Sequence, residues 1–94
     1  MKLKTTTIVR TEMASRYLQQ LCKHFGHKTE VKFSPEVGEI KFDFGRTELI
    51  AKQGALTMSA SADSAENLSR LQRVLASHLE RFAFRESLQI NWTS

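Results

Sequence analysis

The feature that most constrains this chain is a change of hydrophobic period at Gly26. Before it, Met13, Ala14, Tyr17, Leu18, Leu21, Cys22 and Phe25 recur at spacings of three and four. That is one continuous apolar face of a helix, with Glu12, Ser15, Arg16, Gln19, Gln20 and Lys23 on the other side. After it, apolar residues alternate with polar ones, as in strands with one buried face. A helix stripe and a set of half-apolar strands can each be covered only by the other.

Taken in order, residues 2–10 are rich in threonine with Ile8 and Val9, and read as a first strand. Thr11 is the expected N-cap of the helix, Glu12 sits in its first turn, and Gly26 is the expected left-handed stop. Four strands follow. Val31 and Phe33 belong to the first, Ile40, Phe42 and Phe44 to the second, Leu49 and Ile50 to the third, and Leu56, Met58 and Ala60 to the fourth. Ser34 to Gly38, Gly45-Arg46 and Gln53-Gly54 are the expected turns. Connections this short join antiparallel neighbours.

Asp63-Ser64-Ala65-Glu66 resembles a capping box and opens a second helix. Its stripe is Leu68, Leu71, Leu75, His78 and Phe82, flanked by Val74 and Leu79, and it is expected to end near Phe84. Leu88, Ile90 and Trp92 alternate once more, which predicts a short closing strand. The order is β-α-β-β-β-β-α(-β): an α+β single domain over residues 1–94, one antiparallel sheet with both helices on one face. This matches the topology of the TATA-binding-protein-like fold, and fold alone carries no function.

Charge and cysteine content narrow the function classes. The formal charge of +4 comes from 14 Lys and Arg against 10 Asp and Glu, interspersed from Lys2 to Arg85. A nucleic-acid binder concentrates its basic residues on one face or arm, so nucleic acid is not the expected partner. The expected outer sheet face, with Glu30, Glu39 and Asp43 beside Lys32 and Lys41, is mixed rather than basic and aromatic. One cysteine makes no internal disulfide, the N-terminus lacks the apolar run of a signal peptide, and no segment is apolar enough to span a bilayer. The expectation is a soluble cytoplasmic protein with no membrane partner. A core this small leaves one sheet face uncovered, so a homodimer is among the expected arrangements.

Three groups of side chains are candidates for chemistry. Cys22, His24 and His27 form Cys-x-His-x-x-His, donors that suit zinc, iron or copper. Residues two apart on a helix point about 200° from each other, so Cys22 belongs to the core and only His24 and His27 remain as a metal pair. His78 stands in an apolar stripe, either as a core histidine bonded to a backbone carbonyl or as a ligand in a pocket between the helices. With the helices antiparallel, it is expected beside Met13 and Tyr17, some ~10–15 Å along the helix from His24. The same geometry gathers Arg16, Arg81 and Arg85 at the start of the first helix, a carboxylate or phosphate site. Ion pairing with Glu12, Glu80 and Glu86 is the competing use of these arginines. Phosphate loops, nucleophile elbows and the HExxH and CxxC motifs are missing from the sequence, so no catalytic residue is assigned and no enzyme is expected.

The segments Arg16 to Lys28 and His78-Leu-Glu-Arg-Phe-Ala-Phe-Arg-Glu86 resemble the small bacterial family catalogued as domain of unknown function 2218. The specific elements are Arg-Tyr-Leu-x-x-Leu-Cys-Lys-His-x-x-His-Lys and His-Leu-x-Arg-Phe-Ala-Phe-Arg-Glu, and the resemblance spans essentially the whole chain. It implies a cytoplasmic bacterial helix-on-sheet domain without established activity, associated in some members with siderophore-interacting flavin reductases and so with iron acquisition. The residues themselves support an accessory binding domain for a protein partner or a small acidic ligand. Metal binding around His24 and His27 is the alternative, and nucleic-acid binding on the sheet the further one.

Overall fold

In a computed structural model, which describes residues 2–93, the chain runs β1 (Leu3–Arg10), α1 (Ala14–Phe25), β2 (Glu30–Phe33), β3 (Val37–Phe42), β4 (Gly45–Lys52), β5 (Ala55–Ala62) and α2 (Ala65–Phe82). The five strands form one antiparallel sheet in the order β1-β5-β4-β3-β2. β1 therefore inserts beside β5, the last strand of the meander.

The alternation read from sequence decides which face is covered. Val9, Ile40, Leu49, Leu56 and Met58 lie under the helices with no exposed surface, as do Leu18, Leu21 and Leu79 from the helices themselves. α1 covers β2, β3 and β4, while α2 covers β5 and β1. A second group, Ala60, Leu71 and Leu75, closes the far end, and Trp92 touches both groups. α1 approaches β3 most closely at Gly38, where a Cβ would come within 2.8 Å of Cys22 Sγ and 3.3 Å of Leu18 Cδ2. Gly38 is thus a strand residue, not part of the turn; its missing side chain sets the height of α1 above the sheet.

Several boundaries differ from the sequence expectation. α1 starts at Ala14, and its N-cap Met13 makes no side-chain cap. Thr11 instead accepts from the Met13 N–H and donates to Glu86, because the carboxylate competes for its hydroxyl. Gly26 is right-handed, at φ −63°; Thr29 satisfies the helix end by donating to the Phe25 carbonyl through both its N–H and its hydroxyl. The β3–β4 turn falls at Asp43-Phe44, so Phe44 leaves the strand and Gly45 begins β4. Gln53 and Gly54 do turn the chain, both with positive φ, as a two-residue hairpin requires.

α2 is capped by Ser64, not Asp63: its hydroxyl accepts from the Asn67 N–H at 3.1 Å. It stops at Phe82, and residues 83–86 continue as a turn. The closing strand does not form. Leu88, Ile90 and Trp92 pack onto the core, but only Thr93 pairs with β1, through two backbone hydrogen bonds to Thr6 of 2.7 and 2.8 Å. Partial burial of three large side chains fixes the segment without a ladder.

Candidate functional site

Tyr17 lies on the buried face of α1, where its ring packs in the core and its hydroxyl still needs a partner. Glu86, in the turn after α2, supplies it. Tyr17 and Thr11 both donate to the Glu86 carboxylate. Burial first, and then this hydrogen bond and the charge on Glu86, push the Tyr17 hydroxyl up to about 12. The network ties the start of α1 to the end of the α2 segment.

Above it opens a cleft of about 510 Å³ lined by Met13, Arg16, Tyr17, Gln20, Phe82, Phe84, Arg85 and Glu86. Arg16 and Arg85 reach it from the two sides, and Phe84, 76% exposed, forms a rim with the Arg85 guanidinium 5.5 Å from its ring. Among the described residues the ion pairs are Lys41 with Glu30 and Glu39, and Arg46 with Glu39. Arg16 and Arg85 therefore do not form the expected pairs with Glu12, Glu80 or Glu86. Gln20 also lines the cleft, and its side-chain oxygen is buried without a hydrogen-bond partner. The cleft so offers two guanidinium groups, aromatic walls and the Glu86 carboxylate, already engaged by Tyr17 and Thr11.

The other end of the helix pair carries the imidazoles. His78 does not neighbour Met13 and Tyr17: its ring lies 4.7 Å from the His24 ring and 4.9 Å from Phe25, centre to centre. The antiparallel direction is as expected, but the helix is offset. Phe82 and residues 84–86 occupy the place opposite Met13 and Tyr17, which draws His78 toward the end of α1. His78 Nδ1 donates to the Val74 carbonyl at 2.7 Å, since a carbonyl can only accept, and this leaves Nε2 with the lone pair in the neutral ring. Burial, followed by the nearby His78, His27, Arg81 and Lys28, lowers the pKa of His24. Arg81 thus belongs to the imidazole end and is absent from the cleft that holds Arg16 and Arg85.

Cys22 is fully buried, and burial pushes its thiol up to about 11, so it is a protonated core side chain. Among the described residues no three of His, Cys, Asp and Glu converge as a metal cage. The participation of Tyr17, Thr11, Gln20 and Phe84 was not foreseen from sequence. The one signal for it was a tyrosine inside an apolar stripe, whose hydroxyl must find a partner.

Residues 6–93 match the family described as "Uncharacterized protein conserved in bacteria (DUF2218)". The chain belongs to this family. The NMR structure of PA4090 from Pseudomonas aeruginosa is similar throughout, with 43% identity, a TM-score of 0.81, and coverage of 96% of this chain and 94% of that one. No curated protein matches. Both segments that carried the resemblance line the helix pair of this DUF2218 domain: Arg16 to Lys28 spans α1 and its exit, and His78 to Glu86 the end of α2 and the turn after it. No helix among the described residues is long and apolar enough to cross a membrane.

Proposed function

We propose that this domain is a non-catalytic accessory module that binds an acidic group in the cleft between Arg16 and Arg85. The supporting observation is the convergence of two guanidinium groups on a half-apolar cleft whose one carboxylate, Glu86, is engaged by Tyr17 and Thr11 and is not ion-paired to either arginine. Guanidinium forks match carboxylates and phosphates in shape and charge. A carboxylate on an apolar group, as in a peptide C-terminus or an acylated amino acid, fits these guanidinium groups, and Phe82 and Phe84 would cover its apolar part.

The test is a chemical-shift titration with N-acetyl-phenylalanine and, separately, inorganic phosphate. Shifts at residues 13–20 and 82–86 are expected, with affinity at least tenfold weaker in Arg16→Ala and Arg85→Ala but unchanged in Arg81→Ala. Shifts that persist in both arginine variants, or none at 10 mM probe, would reject the cleft.

Metal binding is the second reading, favoured by the contact of His24 with His78. Two imidazoles bound to one tetrahedral ion, at about 2.0–2.1 Å each, have ring centres roughly 5 Å apart, close to the spacing seen here. The Nδ1 hydrogen bond of His78 orients its ring as metal-bound histidines are oriented. His24 meets His78 in addition to lying near His27, the partner expected from sequence. The basic neighbours Arg81 and Lys28 oppose a cation, which ranks this reading below the anion cleft. Zinc, and ferrous iron for the siderophore-iron setting that the family resemblance implies, are the ions to titrate against His24→Ala and His78→Ala. Nucleic-acid binding is the weakest reading, because the uncovered face mixes Glu39 and Glu48 with its lysines.

A further inference from the structure

The face of the sheet away from the helices is banded. Strand register aligns Val37 with Ile50, Ile50 with Thr57 and Thr57 with Ile8, so one row crosses four strands. Its apolar members are 52%, 45% and 58% exposed for Val37, Ile50 and Ile8. At about 4.8 Å per strand the row is roughly 14 Å long. Ile8 and Ile50 break the polar outward alternation of β1 and β4, whose other outward residues include Thr6, Glu48 and Lys52.

At β4 the flanks of this row carry opposite charges, although the Glu48 flank ends in Lys32 on β2. On one side Glu48 lies directly across from Glu39, a like-charge pair that costs stability. Glu39 is neutralised by Arg46 and Lys41, whereas Glu48 has no cation within ion-pair distance among the described residues. On the other side Lys52 and Arg10 both flank Ala55 and are likewise without carboxylates among the described residues. β4 therefore reads Glu48, Ile50, Lys52 along its outward side, with the apolar residue midway between the charges.

We propose that this face is the contact surface between two copies of the chain, packed sheet to sheet with the two-fold axis along the apolar row. That operation reverses strand direction and exchanges the flanks. Each β4 then lies over its counterpart, with Glu48 of either copy over Lys52 of the other and Ile50 on its symmetry mate. The pattern is self-complementary, as an isologous interface demands. The packing is that of aligned sheets, and it leaves the helices and the Arg16–Arg85 cleft on the outside. Three apolar anchors and two charge pairs make a contact at the small end of specific interfaces, so the dimer forms in the micromolar range or weaker.

Sedimentation of the untagged chain from 10 µM to 1 mM tests this. The wild type is expected to pass from monomer to dimer, and Ile50→Asp to remain monomeric. Glu48→Lys and Lys52→Glu are each expected to weaken dimerisation at least tenfold. The double variant restores it, because exchanging both charges preserves every cross-copy pair. These side chains are exposed, and unchanged melting temperatures would exclude misfolding as a cause. A wild type still monomeric at 1 mM, a dimer that survives Ile50→Asp, or a double variant no tighter than the single ones would each overturn the proposal.

Discussion

The two ends of the helix pair solve the same problem with different chemistry. At the start of α1, a buried phenol and a threonine hydroxyl meet one carboxylate, Glu86. At its end, two imidazoles meet each other among Phe25, Phe42 and Phe82, and among the described residues no carboxylate joins them in an ion pair. The first end is held by directional bonds to a charge, the second by contact between rings, of which His24 resists protonation. One end should therefore fail when its acceptor is removed, and the other when protons are added.

The largest effect is expected at Glu86. Glu86→Ala strands the Tyr17 hydroxyl in a buried position and frees Thr11, and hydrogen bonds to a charged group are worth about 1.5–3 kcal/mol. For a domain of this size that is a fall in Tm on the order of 10 °C. Thermal melts at pH 7.5 check it, with Glu86→Gln, which keeps an acceptor, falling in between. A loss under ~0.5 kcal/mol would mean that the two ends are not held differently.

The next pair of experiments uses pH. Tyr17 is raised from 10.0 to about 12 in the folded chain, so between those values the folded state holds a proton that the unfolded state has lost. Stability is then full below pH 10 and declines as pH rises toward 12. Cys22, raised from 9.0 to about 11, adds a decline that begins nearer pH 9. Urea melts of Tyr17→Phe should lose the part of the alkaline decline above pH 10 and keep the rest. His24 works in the opposite direction. Its folded pKa lies below 6.5, so below pH 6.5 the unfolded chain takes up a proton that the folded one resists. This contribution is complete above that pH and lost as pH falls through the folded pKa. His24→Phe keeps an aromatic ring against His78 and Phe82 and should flatten the stability curve from pH 6.5 downward, where ordinary carboxylates do not yet titrate. An unchanged acid limb would remove the imidazole contact as its source.

The difference between the ends also explains what could be read from sequence. Periodicity at Met13 to Phe25 and at Leu68 to Phe82 gave both helices, and alternation gave the strands and their buried face, because each pattern reflects local geometry repeated over many residues. Where one helix sits along another is not a local property. The offset that brings His78 to His24 depends on the turn at residues 83–86, on Gly38 setting the approach of α1, and on Trp92 filling space beneath α2. The arginine cleft was foreseen for Arg16 and Arg85 because both lie near the α1 start under either offset. Arg81, one turn before Arg85, was carried to the other end by the same shift. The failed closing strand has a related cause. Leu88, Ile90 and Trp92 alternate as a strand does, but what fixes them is burial.

The smallest effect separates the charge on Arg81 from the partial desolvation of the exposed His24. Burial is the first cause of the lowered His24 pKa, and Arg81 adds to it through space from an exposed position. Arg81→Ala should leave the stability at pH 7.5 within ~0.5 kcal/mol of the wild type, as for most exposed substitutions. It should also raise the His24 pKa slightly toward 6.5, making the acid limb shallower. Imidazole shifts followed by NMR read this directly. Salt at 1 M shortens the Debye length to about 3 Å, so it should raise the wild-type His24 pKa by more than Arg81→Ala does, because it also screens His78, His27 and Lys28, and it should raise the variant's by the remainder. If Arg81→Ala instead lowered Tm as much as Glu86→Ala does, the imidazole end would also be held by a directional bond to a charged group, and the contrast between the two ends would fail.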